Sequence, residues 1–134
     1  MKLVKIDRAA ADLSLSPIFL GDVATQNLVA EDESDHLRVT AVTFEDGARN
    51  CWHSHTTDQV LVVTAGRGIV STDEDEVRVG VGDLVFIPAG KRHWHGAEPG
   101  EDFTHLSILT PGEMELKDDL VAATAAGFVS PFGR

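Results

Sequence analysis

At 134 residues and 14.4 kDa, the chain has the length of one domain and is too short for two independent cores. Apolar residues make up 43% and charged residues 25%, the balance of a globular rather than a disordered chain. The formal net charge of −11, with acidic runs at residues 31–35 and 73–76, repels phosphate backbones and anionic lipid heads, so nucleic acid and membrane surfaces are excluded as expected partners.

Reading from the start, Lys2 and Lys5 are not followed by an apolar stretch with a small-residue cleavage site, and no apolar run reaches bilayer-spanning length. Cys51 is the single cysteine, so no internal disulfide can form and a reducing cytoplasm is the expected location. Residues 8–20 carry Ala-rich and Ser/Pro stretches; they read either as an N-terminal arm that wraps the domain or crosses to another subunit, or as a loose terminus. Segments rich in Val, Ile, Leu, Phe and Thr then predict strands over 37–44, 50–55, 59–64, 68–72, 77–79, 84–87 and 103–109. Turn signals separate them at Glu45-Asp46-Gly47, Ala65-Gly66-Arg67-Gly68, Gly80 to Asp83, Pro88 to Lys91 and Glu98 to Asp102. Helix is scarce. Leu120 and Val121, among good helix formers and ahead of Gly127 and Pro131, predict one short C-terminal helix over 117–126. The fold class is therefore all-β, an antiparallel sandwich or barrel forming one domain over residues 1–134.

Five of the six histidines lie between positions 53 and 105. On a strand, His53 and His55 leave the same face about 6.6 Å apart, close enough to share an ion. Gln59 offers a neutral amide oxygen four residues later, and His93 follows the Pro88/Gly90 turn that can return it to the same place. Three imidazoles and one carbonyl oxygen suit manganese, iron, nickel or zinc better than calcium or magnesium. His95 lies two residues after His93 and points into the same cavity if that segment is extended. His105 sits on the last strand with Leu106 and Ile108 facing away. Either is a candidate general base, or else a group that orients a ligand. Thr40 and Val42 share a strand face that can line the pocket, and Trp52 and Trp94 flank ligands.

These residues match a known pattern. Gly47, His53, His55, Gln59 and Gly66 have the spacing of the first cupin motif, and Gly82, Pro88, Gly90 and His93 that of the second. The four glycines and one proline alone give a chance match of about one in a million at their base rates of roughly 7% and 5%. Two positions depart: Gln59 stands where the family usually has Glu, and Ala97 where the second motif often ends in Asn. The chain thus resembles the cupins, which implies a small jelly-roll barrel with His53, His55, Gln59 and His93 as metal ligands. Phe44-Glu45-Asp46-Gly47-Ala48-Arg49, Trp52-His53-Ser54-His55, Val63-Thr64-Ala65-Gly66, Lys91-Arg92-His93-Trp94-His95-Gly96-Ala97 and Thr104-His105-Leu106 resemble small bacterial cupins with hydroxynitrile lyase activity. That resemblance implies manganese and cleavage or formation of aromatic cyanohydrins such as mandelonitrile, with His105 or His95 taking the hydroxyl proton. An iron-dependent dioxygenase, a sugar isomerase or ring-opening lyase, and a non-catalytic ligand-binding cupin are the other readings. A small molecule is the expected partner, and a homodimer or homotetramer the expected assembly.

Overall fold

The computed structural model describes residues 1–117. It contains twelve strands: β1 (Asp12–Leu13), β2 (Phe19–Leu20), β3 (Val23–Val29), β4 (Arg38–Phe44), β5 (Arg49–Asn50), β6 (His53–His55), β7 (Gln59–Thr72), β8 (Glu76–Gly80), β9 (Leu84–Ile87), β10 (His93–Ala97), β11 (Phe103–Leu109) and β12 (Met114–Leu116). All pairings are antiparallel. The only helical segment among the described residues is a 3-10 turn at Arg8–Ala10. The helix expected over 117–126 lies, apart from Lys117, outside the described residues.

The long strand β7 belongs to two sheets and turns them into one curled barrel of the jelly-roll kind. Its first half pairs with β9 and β11, in the order β1-β3-β4-β11-β7-β9, and its second half pairs with β8 and β10, in the order β2-β5-β10-β7-β8. β6 pairs with the start of β10, and β12 with β6. The sequence predicts a turn over 65–68. Instead the chain bends without leaving the ladder, because Gly66 takes φ +72° and the pairing shifts by a bulge opposite Thr104 and His105. The predicted strand over 50–55 is broken after Asn50 and resumes at His53.

Alternation sets the two faces of the first sheet. Val42, Phe44, Leu61, Val63 and Phe103 point inward and form the buried core with Val23, Val70, Val79 and Ile87. Outward, the register aligns Leu84, Val62, Leu106 and Ala41 in one row, and Phe86, Val60, Ile108 and Val39 in the next. The segment 8–20 wraps its own domain: β1 adds to β3, β2 adds to β5, and Arg8 forms ion pairs with Glu45 and Asp102.

The bend in β7 sets the relative placement of the two sheets. A Cβ at Gly66 would lie 1.9 Å from the Asp102 carbonyl oxygen, whereas at Gly82, also at positive φ, nothing lies within 4 Å. Gly82→Ala should therefore cost only the left-handed strain, about 1–2 kcal/mol. Gly66→Ala should lower the denaturant midpoint clearly more, and equal losses in the two variants would show that the close approach at the bend is unimportant.

Candidate metal centre

Three strands and one strand start bring the polar interior together. β6 presents His53 and His55, β10 presents His93 and His95, β11 presents His105 and Ser107, and Gln59 opens β7. The register places His93 directly opposite His53. One ligand nitrogen from each of His53, His55 and His93 lies within 4.8 Å of the others. Gln59 Oε1 is 3.2 Å from His93 Nε2. The four residues singled out from the sequence as ligands therefore share one place in the barrel.

The donor set fits a cation for a reason visible in the hydrogen bonds. His53 Nδ1–H donates to the Cys51 carbonyl at 2.7 Å, and His93 Nδ1–H donates to the Lys91 carbonyl at 2.8 Å. Each ring thus spends its proton on the backbone two residues earlier, which leaves Nε2 a bare lone pair in a neutral imidazole. His93 Nε2 consequently faces Gln59 Oε1, acceptor against acceptor, an arrangement that a cation between them satisfies. Gln59 keeps its oxygen on that side because its Nε2 donates to Ser107 Oγ at 2.9 Å.

Burial keeps these rings uncharged. His53 is pushed down to about 3 by desolvation, with the neighbouring His93 and His55 adding to the shift and the Cys51 carbonyl opposing it. His55, half-exposed, is pushed down to about 4, mainly by burial and then by His93. His93 is lowered by burial against the pull of the Lys91 carbonyl. No Asp or Glu appears among the buried side chains of the described residues. A dipositive ion held here keeps its full charge, where the usual Glu would cancel one unit.

His95 and His105 form a second layer behind the triad. The His95 ring centroid is 5.6 Å from that of His93 and 5.7 Å from that of His53, and its Nδ1 lies 2.9 Å from His105 Nε2. One proton is therefore shared between the two rings. Asn50 holds His95 from the side: its Oδ1 accepts the His95 backbone N–H at 2.8 Å, and its Nδ2 lies 3.2 Å from the ring Nε2. Burial pushes His105 down to about 4, against a weaker pull from the Leu106 backbone, and lowers His95 well below the ordinary value, with His105 adding to the effect. Phe44 and Phe103 close the apolar side at ring distances of 5.6 and 5.5 Å from His105.

The other candidates fall nearby. Val42 is the cross-strand neighbour of His105, and Thr40 that of Ser107. Thr40 is half-buried and also lines a recess of about 470 Å³ with Asn27, Val29 and Arg38, which includes none of the histidines. Trp94 alternates away from His93 and His95; Arg49 lies 3.7 Å over its ring, and Trp52 meets it edge-on. Asn50 and Ser107 are the polar residues the sequence reading passed over. Ser107 had a signal, since it is two residues from His105 on the same strand face, whereas Asn50 had none.

Residues 40–109 match the cupin domain family. An (R)-mandelonitrile lyase of Granulicella tundricola is 35% identical over 109 residues, covering 81% of this chain and 83% of that protein. An acireductone dioxygenase of Parasynechococcus marenigrum is 37% identical over 65 residues, but these cover only 46% of this chain and 35% of that protein. A crystal structure of a cupin-like protein from Thermotoga maritima superposes with a TM-score of 0.77 at 35% identity, covering 85% of this chain and 89% of that one.

The depressed imidazoles make the metal-free protein acid-sensitive in a defined window. Unfolded histidines take up protons near the ordinary value of 6.5, while His53, His55 and His105 take them up only at about 3 to 4. Between these limits the unfolded chain binds more protons, so stability is full above about pH 6.5 and declines as the pH falls toward 4. Thermal midpoints of chelator-treated protein should drop steadily from pH 7 to 4.5, and a flat profile would contradict neutral burial of the cluster.

Proposed function

The chain belongs to the cupin domain family, and from that premise we propose that it is a metal-dependent lyase that cleaves and forms aromatic cyanohydrins such as mandelonitrile. His53, His55, His93 and Gln59 hold one divalent ion, with manganese the metal, and the His95–His105 pair is the proton acceptor. The observation that carries the reading is this pair, two neutral imidazoles 2.9 Å apart directly behind a triad with no anionic ligand. The resemblance of most of the chain to a protein named a mandelonitrile lyase supports the same choice.

Cyanohydrin cleavage needs a base for the hydroxyl proton and a place for negative charge as the C–C bond breaks. His95 lies nearer the triad and takes the proton, and the contact with His105 Nε2 shares it with a second ring. Both rings are neutral at physiological pH because burial holds their pKa values down. With His95 Nδ1 engaged by His105, the accepting lone pair is that of His95 Nε2, which the Asn50 amide nitrogen contacts at 3.2 Å and gives up to the incoming proton. The carbonyl product forms as the C–C electron pair leaves with cyanide, and the pair returns the proton to yield hydrogen cyanide. When bound, the dipositive ion supplies electrophilic stabilisation of that departing anion. Asn50 keeps the His95 ring in place through both ends of its amide, and Phe44 and Phe103 exclude water from the far side. Thr40 and Val42 border the substrate in this reading.

An iron-dependent dioxygenase is the second reading, favoured by the partial match to an acireductone dioxygenase. Oxygen dependence separates the two. Purified protein reloaded with Mn²⁺ should cleave mandelonitrile equally under argon and air. His53→Ala should lose both metal and cleavage. His95→Ala and His105→Ala should keep the metal while kcat falls by about 10²–10⁴. Cleavage that survives full removal of metal, or that requires oxygen, would reject the lyase assignment.

A further inference from the structure

We propose that Ser107 is a positioning residue that holds the Gln59 amide with its oxygen toward the three imidazoles, and thereby sets how tightly the site binds a dipositive ion. The inference rests on the metal-site reading above and goes beyond it by assigning a role to a residue outside the donor set.

A carboxylate ligand has two equivalent oxygens and coordinates whichever way it turns. An amide does not: only its oxygen can bind a metal, so a Gln ligand must be oriented by its surroundings. Gln59 is 4% exposed, so solvent cannot supply that orientation. The structure gives its two ends different partners: Nε2 donates to Ser107 Oγ at 2.9 Å, and Oε1 faces His93 Nε2 at 3.2 Å. Ser107 reaches this position because it is two residues along β11 from His105 on the inward face, and because Gln59 pairs with Leu109, so the two side chains meet diagonally.

The opposite orientation would turn Nε2–H onto the lone pair of His93 Nε2 and block the place an ion needs. It is a reasonable hydrogen-bonded state when no ion is bound, and a serine hydroxyl can accept from the amide nitrogen or donate to the amide oxygen. Once the oxygen points inward, however, the amide N–H groups need a buried acceptor, and Ser107 Oγ is the one the structure provides. Without it, the ion-binding orientation leaves a buried N–H unpaired and the blocked one leaves a buried carbonyl oxygen unpaired; the orphaned N–H is the costlier of the two, which weakens the ion-binding orientation against the blocked one. The substitution of Glu by Gln at position 59 and the hydroxyl at position 107 thus form a functional pair.

The test is a double-mutant cycle read as Mn²⁺ affinity, by competition with a chelating dye, on protein whose folding is verified by circular dichroism. Ser107→Ala should weaken Mn²⁺ binding about 10-fold or more, while Ser107→Thr, which keeps the hydroxyl, should stay near wild type. In a Gln59→Ala background, Ser107→Ala should change affinity no further. Unchanged affinity in folded Ser107→Ala, or the same loss with and without Gln59, would overturn the inference while wild-type binding leaves the metal site standing. A wild-type protein that binds no Mn²⁺ would overturn both.

Discussion

The arrangement depends on keeping five imidazoles inside a small barrel in their neutral state. Four of them, His53, His93, His95 and His105, are buried, and no buried carboxylate among the described residues offsets a positive charge. Protonating any one would place an uncompensated charge in a low-dielectric interior, which costs several kcal/mol. The barrel meets the constraint locally. The Nδ1–H bonds of His53 and His93 to carbonyls two residues earlier, just ahead of β6 and β10, fix the tautomer locally. Every lone pair this frees is aimed at the interior. The proposed metal site and the proposed proton-accepting pair are therefore two uses of one condition.

The same condition explains why Gln rather than Glu is compatible with this interior. A Glu at position 59 would bring a charge into a buried cluster of neutral polar groups, and would need the ion to balance it. An amide is neutral with or without the ion, so the metal-free barrel carries no buried charge, but the orientation that a carboxylate has by symmetry must now be imposed by a neighbour. In the proposed role, Ser107 on the adjacent strand imposes that orientation through its contact with Gln59 Nε2.

Much of this was legible in the sequence, for identifiable reasons. The strands over 37–44, 84–87 and 103–109 follow runs rich in Val, Ile, Leu, Phe and Thr and reappear nearly unchanged as β4, β9 and β11. The grouping of His53, His55, Gln59 and His93 was legible because a His-x-His pair on a strand and the glycines around it are local features. β3 was missed because Gln26 and Asn27 interrupt the apolar pattern, and β10 because its inward residues are His93 and His95, so the face that looks polar is the buried one. β7 was read as two strands because Gly66 signals a turn in isolation, and only the closure of two sheets on one strand makes it a bend. The pairing of His95 with His105 and of Gln59 with Ser107 depends on register between distant strands, which no local pattern carries.

The central claim is that His53, His55, His93 and Gln59 surround one divalent ion while His95 and His105 stay off it. Anomalous diffraction from crystals of the Mn²⁺-loaded protein tests this most directly. The account predicts a single peak within bonding distance, about 2.0–2.3 Å, of three imidazole nitrogens and the Gln59 amide oxygen. A peak ligated by His95 or His105, or no peak in the barrel, would contradict it.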